Sequence, residues 1–347
     1  MVNHGRHVFD AIGMTRVVIE DGKVASVGES ELEYCPLFKK FRGMETITPE
    51  MVRENIEFRI RDFGFCTENR VVRADDYITF GVSEILSTAL ENGRIGAAVI
   101  AADGCGTAVI TDPYILQGLC GRISGLVETS PLQVVLDAVG RDNVVDPETV
   151  PVNMVKGAEL ADSKGYQRFS VTVCKPEDAK AIRERYGDRA IIVGVHTSHI
   201  NRCGVGTMFD CCDFITACGS RWTREIAHER NALIAGNKVE IFGISDAGKQ
   251  LVLEKLRSIG KEPYNGEELD EPRPLIEYQS DRIRAIGLRS LVGIEPEWRT
   301  HVLIVVICNN FYDKRDPGLD SLSDGGRQPG LQPGQGRRGE EHRHHRQ

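Results

Sequence analysis

Apolar and polar positions change their period along the chain. Near the N-terminus, RVVIEDGKVASVGE alternates in two β-rich runs joined by Asp21-Gly22, a dipeptide suited to the positive φ angles of a tight turn, and predicts a β-hairpin. After a loop containing EYCPLF, the stretch TPEMVRENIEFRIRDFG reads as a helix with Thr48 as N-cap, Pro49 in the first turn and Gly64 as its stop. From Tyr77 onward, short apolar runs alternate with amphipathic ones. YITFG precedes VSEILSTALENG, and GAAVIAA runs into the glycine-rich turn DGCGT. RFSVTV leads into PEDAKAIRERYG, AIIVGV into HTSH, FITACG into SRWTREIAHE, and VEIFGIS into DAGKQLVLEKLRSIG. Strands exchanged with helices in this way predict an α/β fold with a mainly parallel sheet flanked by helices, preceded by the N-terminal β-hairpin.

The pattern divides into an N-terminal hairpin and helix (1–74), a first α/β block (75–150), a second α/β block (151–276) and a C-terminal extension (277–347). Residues 324–347, DGGRQPGLQPGQGRRGEEHRHHRQ, contain one aliphatic residue and read as a low-complexity tail rather than a core or, despite HRHH, a metal site.

Composition narrows the function classes. A chain of 347 residues, 41% hydrophobic and 27% charged, falls among globular proteins. Its formal charge of -8 and pI near 5.7 give no general attraction to nucleic acid or anionic lipid. The start has no apolar run of signal-peptide length, and the run from Val302 to Cys308 is too short to span a bilayer, so the expected location is cytoplasmic. Ten cysteines in a reducing cytosol are packing residues, metal ligands or redox thiols rather than a disulfide framework.

The unusual residues fall at expected strand ends, where open α/β sheets bind ligands. In DGCGT, Asp103 and Cys105 are candidate catalytic residues. Gly104, Gly106 and Thr107 are candidates for cradling an anionic cofactor group, because glycines allow close backbone approach. A cysteine between glycines is expected to be accessible for nucleophilic or redox chemistry. Cys174, His196, His199 and Cys218 follow other strands, while Cys203, Cys211 and Cys212 lie on the connection between two of them. The metal candidates are therefore His196, His199, Cys203, Cys211, Cys212 and Cys218. Thiolate and imidazole suit an iron–sulfur cluster or zinc. The spacing Cys-x7-Cys-Cys-x5-Cys is not that of a zinc ribbon or ferredoxin, so buried packing thiols remain the alternative.

RVVIEDGKV, LEYCPLFKKFRG, TPEMVRENIEFRIRDFG, AAVIAADGCGTAVITDPYILQGLCGRISGLVETSP and HTSHI occur in one order over roughly residues 5–275. Together they resemble methanogenesis marker protein 8, a family of methane-metabolising archaea. The resemblance implies an auxiliary role in methanogenesis, in maturation, repair or redox activation of methyl-coenzyme M reductase, with that enzyme or its assembly proteins as partners. A more distant likeness joins FGVSEILSTALENGRIGAAVI and FSVTVCKPEDAKAIRERYGDRAIIVGVHTSHI to the beta subunits of deazaflavin-dependent hydrogenases and dehydrogenases. That likeness implies a flavin or deazaflavin oxidoreductase with an iron–sulfur cluster. The sequence departs from those subunits at Cys174-Lys175-Pro176, where they have a Pro-Cys order, and lacks their compact cysteine run. A non-catalytic assembly factor whose cysteines are core is the third expectation.

Overall fold

In the computed structural model, which describes residues 5–32, 46–75, 80–121, 125–236 and 239–263, Asp21 and Gly22 both take positive φ, 49° and 72°. They close the expected hairpin between β2 (Arg16–Glu20) and β3 (Lys23–Val27). A strand without a turn signal of its own, β1 (Arg6–Asp10), pairs antiparallel with β2. The distant β6 (Leu126–Glu128) pairs with β1, giving a four-stranded antiparallel sheet in the order β3-β2-β1-β6. Helix α1 (Pro49–Phe63) packs on β3 and has the caps its sequence predicts. Thr48 Oγ1 accepts from Met51 N at 3.3 Å, and Gly64 ends the helix in the left-handed region. The low-complexity tail and the Val302–Cys308 run lie outside the described residues.

The second sheet has seven strands in the order β10 (Leu233–Ala235), β11 (Ile241–Gly243), β9 (Phe214–Thr216), β8 (Ala190–Gly194), β7 (Phe169–Val173), β4 (Ala97–Ala102) and β5 (Gly106–Ile110). Its four central strands run parallel. Both flanks are antiparallel, so the sheet is mixed rather than mainly parallel. The cause is local on each side. DGCGT turns the chain straight back into β5 instead of into a helix, and β11 folds back as a hairpin partner of β10 and takes the place beside β9. Apolar runs buried on both faces read alike in either direction, so composition does not distinguish them.

Helices α5 (Met154–Ser163), α6 (Pro176–Tyr186), α7 (Arg202–Cys211) and α8 (Arg221–Glu229) pack in a row. Helix α2 (Val82–Glu91) packs between α3 (Pro113–Cys120) and α9 (Asp246–Ser258) in a second row. Since every residue of β4, β5, β7, β8 and β9 is buried, the two rows cover opposite faces. The short helix α4 (Gln133–Val139) packs at β5. Among the described residues no helix is long and apolar enough to cross a membrane.

The caps of α1 give a direct stability test. Thr48→Ala is expected to cost about 1 kcal/mol. Gly64→Ala should cost more, because a side chain in the left-handed region costs roughly 1–2 kcal/mol and its Cβ would overlap the Asn69 carbonyl. Urea unfolding in reductant gives both values, and equal midpoints for parent and Gly64→Ala would contradict the left-handed cap.

Candidate functional site

The parallel strands β4, β7, β8 and β9 end at one edge, and Asp103, Cys174, His196 and Cys218 follow them there. The two ends of this edge differ in chemistry.

At the β4 end, the turn is closed by the protein itself. Asp103 is fully buried and accepts from Arg70 Nε at 3.0 and 3.1 Å and from Cys66 N at 2.8 Å. Arg70, also without exposure, donates to the Leu119 carbonyl at 3.3 Å and the Val71 carbonyl at 2.7 Å, and lies 5.7 Å from the Phe65 ring centroid. Both glycines are needed by the packing: a Cβ on Gly104 would press on Leu132, and one on Gly106 would overlap the Val150 carbonyl. Thr107 Oγ1 accepts from Asn153 N at 2.7 Å. Cys105 is fully buried, against the expectation of an accessible thiol. Burial, reinforced by the Asp103 charge, pushes its pKa up to about 12. Cys66 and Cys120 are raised well above the ordinary thiol value, again chiefly by burial. A thiol with so little thiolate is a poor nucleophile. Asp103 is thus paired with Arg70, Cys105 is packed in the core, and Gly104, Gly106 and Thr107 all lie against the chain itself.

The metal candidates do not converge either. The connection that carries Cys203 and Cys211 is helix α7, and it leads the chain from the exit of β8 to the start of β9. Cys203, exposed near its start, and Cys211 at its end are about 12 Å apart along the axis at 1.5 Å per residue. Cys212 precedes β9 while Cys218 follows it, a separation of roughly 15–20 Å along an extended chain. Cys211 and Cys212 therefore sit at the opposite edge from His196 and Cys218. There Asp213 accepts from Ile192 N, Arg183 Nη2 and the Ser245 hydroxyl. Burial raises the thiols of Cys211 and Cys212. Among the described residues, no three His, Cys, Asp or Glu side chains gather where they could hold a metal ion.

The β8 and β9 exits are different. His196 and Cys218 both adopt left-handed backbone, φ 54° and 44°, a conformation that L side chains rarely take and that costs free energy. Thr197 Oγ1 donates toward the Thr216 and Ala217 carbonyls at 2.9 and 3.0 Å, and Gly219 N donates to Ser198 Oγ at 2.9 Å, so the two exits are stitched together. His196 is only 6% exposed, and its Nε2 has no hydrogen-bond partner. Burial and then the neighbouring His199, its ring centroid 5.6 Å away, hold the His196 pKa well below the ordinary 6.5. His199 itself is exposed. Cys218 Sγ lies 3.2 Å from the Thr216 hydroxyl, and the Cys218 carbonyl accepts from Arg224 Nη2 at 2.9 Å. Sequence reasoning placed His196 and Cys218 at this edge but missed Arg70 and Arg224, both buried in charge pairs with residues distant in sequence.

Residues 7–257, which include both ends of this edge, match the family described as "Uncharacterized protein conserved in archaea (DUF2099)". The chain belongs to that family. An uncharacterized protein of Methanocaldococcus jannaschii is 41% identical to it over 281 residues, covering 78% of this chain and 99% of the relative. A chain of the F420-reducing [NiFe] hydrogenase complex from Methanosarcina barkeri aligns with 61% of this chain and 86% of its own. Its TM-score is 0.30 and its identity 14%, too distant to bear on fold or function. The archaeal family match spans DGCGT and HTSH alike, so it does not by itself separate one end of the edge from the other.

Two outcomes test this division. Asp103→Ala leaves Arg70 buried without its counter-charge and should cost about 3–5 kcal/mol, read from urea unfolding. At the other end, His196 binds its proton less readily when folded than when unfolded. Its contribution to stability is therefore complete above pH 6.5 and is lost as pH falls below it, by up to about 1.4 kcal/mol per pH unit. His196→Asn, which tolerates the left-handed backbone, should flatten the stability profile between pH 6.5 and 5; identical slopes in parent and variant would mean that His196 is not held neutral.

Proposed function

We propose that the protein is a cytoplasmic auxiliary factor of archaeal methane metabolism, serving the maturation, repair or activation of methyl-coenzyme M reductase, and that it acts through the β8 and β9 exits around His196 and Cys218. The reading is carried by one observation, the methanogen chain that is 41% identical across 99% of its own length. The order of motifs resembling methanogenesis marker protein 8 agrees with it. Seven of the eight cysteines among the described residues are buried, which favours a factor that binds and assists over one that cycles electrons through its own thiols.

The test is genetic and biochemical. In a methanogen carrying this gene, deletion, or depletion where deletion is lethal, should lower the active fraction of methyl-coenzyme M reductase in oxygen-free extracts without lowering the amount of reductase protein. The parent gene should restore it, and a His196→Asn gene expressed to the same level should not. Reductase that remains fully active after loss of the protein would overturn the reading.

A further inference from the structure

The chain passes from β9 to α8 through Ala217, Cys218, Gly219 and Ser220, and the charges around this junction run against ordinary helix design. The positive end of a helix dipole favours acidic residues in the first turn. Helix α8 has none there and begins Arg221-Trp222-Thr223-Arg224. Arg221 pairs with Glu225, which also receives Arg202. Arg224 is 1% exposed. Its Nη1 donates to the Ser220 carbonyl at 3.0 Å, and its Nη2 to the Cys218 carbonyl and Glu240 Oε2, both at 2.9 Å. The guanidinium therefore lies directly against the junction, and its Nε has no partner.

The adjoining β8 exit carries a second unpartnered nitrogen. His196 Nε2 precedes Thr197 and Ser198, whose hydroxyls bond the Thr216 and Ala217 carbonyls and the Gly219 amide. A buried polar nitrogen without a partner is costly. Here there are two, Nε2 of His196, itself held in left-handed backbone, and Nε of Arg224, whose guanidinium bonds the carbonyl of left-handed Cys218. Backbone N–H groups at the start of a helix favour negative charge at the same place.

We propose that the β9–α8 junction, with His196 and Arg224, is a binding site for the anionic group of a small molecule, a phosphate, sulfonate or carboxylate. Arg224, its charge paired with Glu240, supplies its unpartnered Nε as a donor. His196, in the tautomer that carries its proton on Nε2, supplies a neutral donor, and the first turn of α8 supplies the dipole. Hardly any of this depends on solvent-exposed side chains, so binding should survive moderate salt better than a surface cluster would. The inference shares its location with the function proposed above but not the metabolic setting, so the two can fail separately.

The test uses the full chain with inorganic phosphate, ethanesulfonate and acetate, each against chloride at equal ionic strength. The ring resonances of His196, assigned through its neighbours, should shift saturably with at least one of the three, and the responding arm identifies the anionic group. His196→Asn and Arg224→Lys, which keeps a charge for Glu240 but lacks Nε, should each weaken that Kd by about tenfold or more. A His196 ring that responds to none of the three, or to chloride equally, overturns the proposal even if neither variant folds. So does an unchanged Kd in either folded variant.

Discussion

Arg70 and Asp103 form an ion pair in which neither side chain has any solvent exposure, and three parts of the fold meet on it. Removing two charges from water is expensive, and their attraction offsets that only when the remaining donors and acceptors are also filled. Here they are: the Cys66 amide comes from the loop after α1, the Leu119 carbonyl from α3, and Asp103 itself opens the β4–β5 turn. Gly104 N then donates to Thr129 Oγ1, which also contacts His7 of β1 at 2.7 Å. A single buried pair thus connects the antiparallel N-terminal sheet to the edge of the larger one. The thiols of Cys66, Cys105 and Cys120 surround this pair in a dry environment. Arg70 favours their thiolates and Asp103 disfavours them, but burial outweighs both. Their chemistry is suppressed by the same desolvation that makes the ion pair stringent.

The two ends of the exit edge consequently differ in how fully their polar groups are paired. At β4, every polar group of the turn named above has a partner within the chain. Left-handed non-glycine backbone occurs at both ends, at Cys66 and Val150 beside the β4 turn and at His196 and Cys218 at the β8 and β9 exits, but at the latter two buried nitrogens, His196 Nε2 and Arg224 Nε, have no hydrogen-bond partner. The intervening strand, β7, ends in a buried Cys174 and passes into α6 through Lys175 and Pro176. Strain of this kind persists only where the surroundings over-determine it. The hydroxyls of Thr197 and Ser198 provide that rigidity by bonding the backbone of the neighbouring exit.

What was legible in the sequence was what depends on neighbours in sequence. Asp21-Gly22 needs positive φ twice, and Thr48, Pro49 and Gly64 mark a helix by capping chemistry alone, so these elements could be read directly. The edge holding His196 and Cys218 was also legible, because parallel neighbours put their carboxyl ends together. The direction of β5 was not: a buried apolar run carries no sign of its partner's orientation. Helix α7 was obscured by two glycines and two cysteines in RCGVGTMFDC, which weaken local helix propensity while the face bearing Val205, Met208 and Phe209 packs inward. Arg70 and Arg224 gave little signal, since a buried arginine is identified by its partner. Those partners lie 33 and 16 residues away. For Arg224 a faint clue existed, a charged residue on the same helical face as Thr223, Ile226 and Ala227.

The two ends of the edge also differ in what a mutation history could tolerate. Each left-handed non-glycine residue costs on the order of 1–3 kcal/mol, and each buried unsatisfied polar group about as much again. Set against a typical domain stability of about 5–15 kcal/mol, the strained exits are an appreciable burden that glycine at Cys218 or an apolar residue at His196 would relieve. The Arg70–Asp103 end offers no such relief, because removing either partner leaves the other buried and charged. A feature that is costly and easily relieved needs a counterpart outside folding stability to account for it, whereas one that is costly and locked is accounted for by folding alone. On that physical distinction, the Arg70–Asp103 and Arg224–Glu240 pairs are locked into the architecture, whereas the left-handed backbone at His196 and Cys218 and the unpartnered Nε2 of His196 are not accounted for by folding alone.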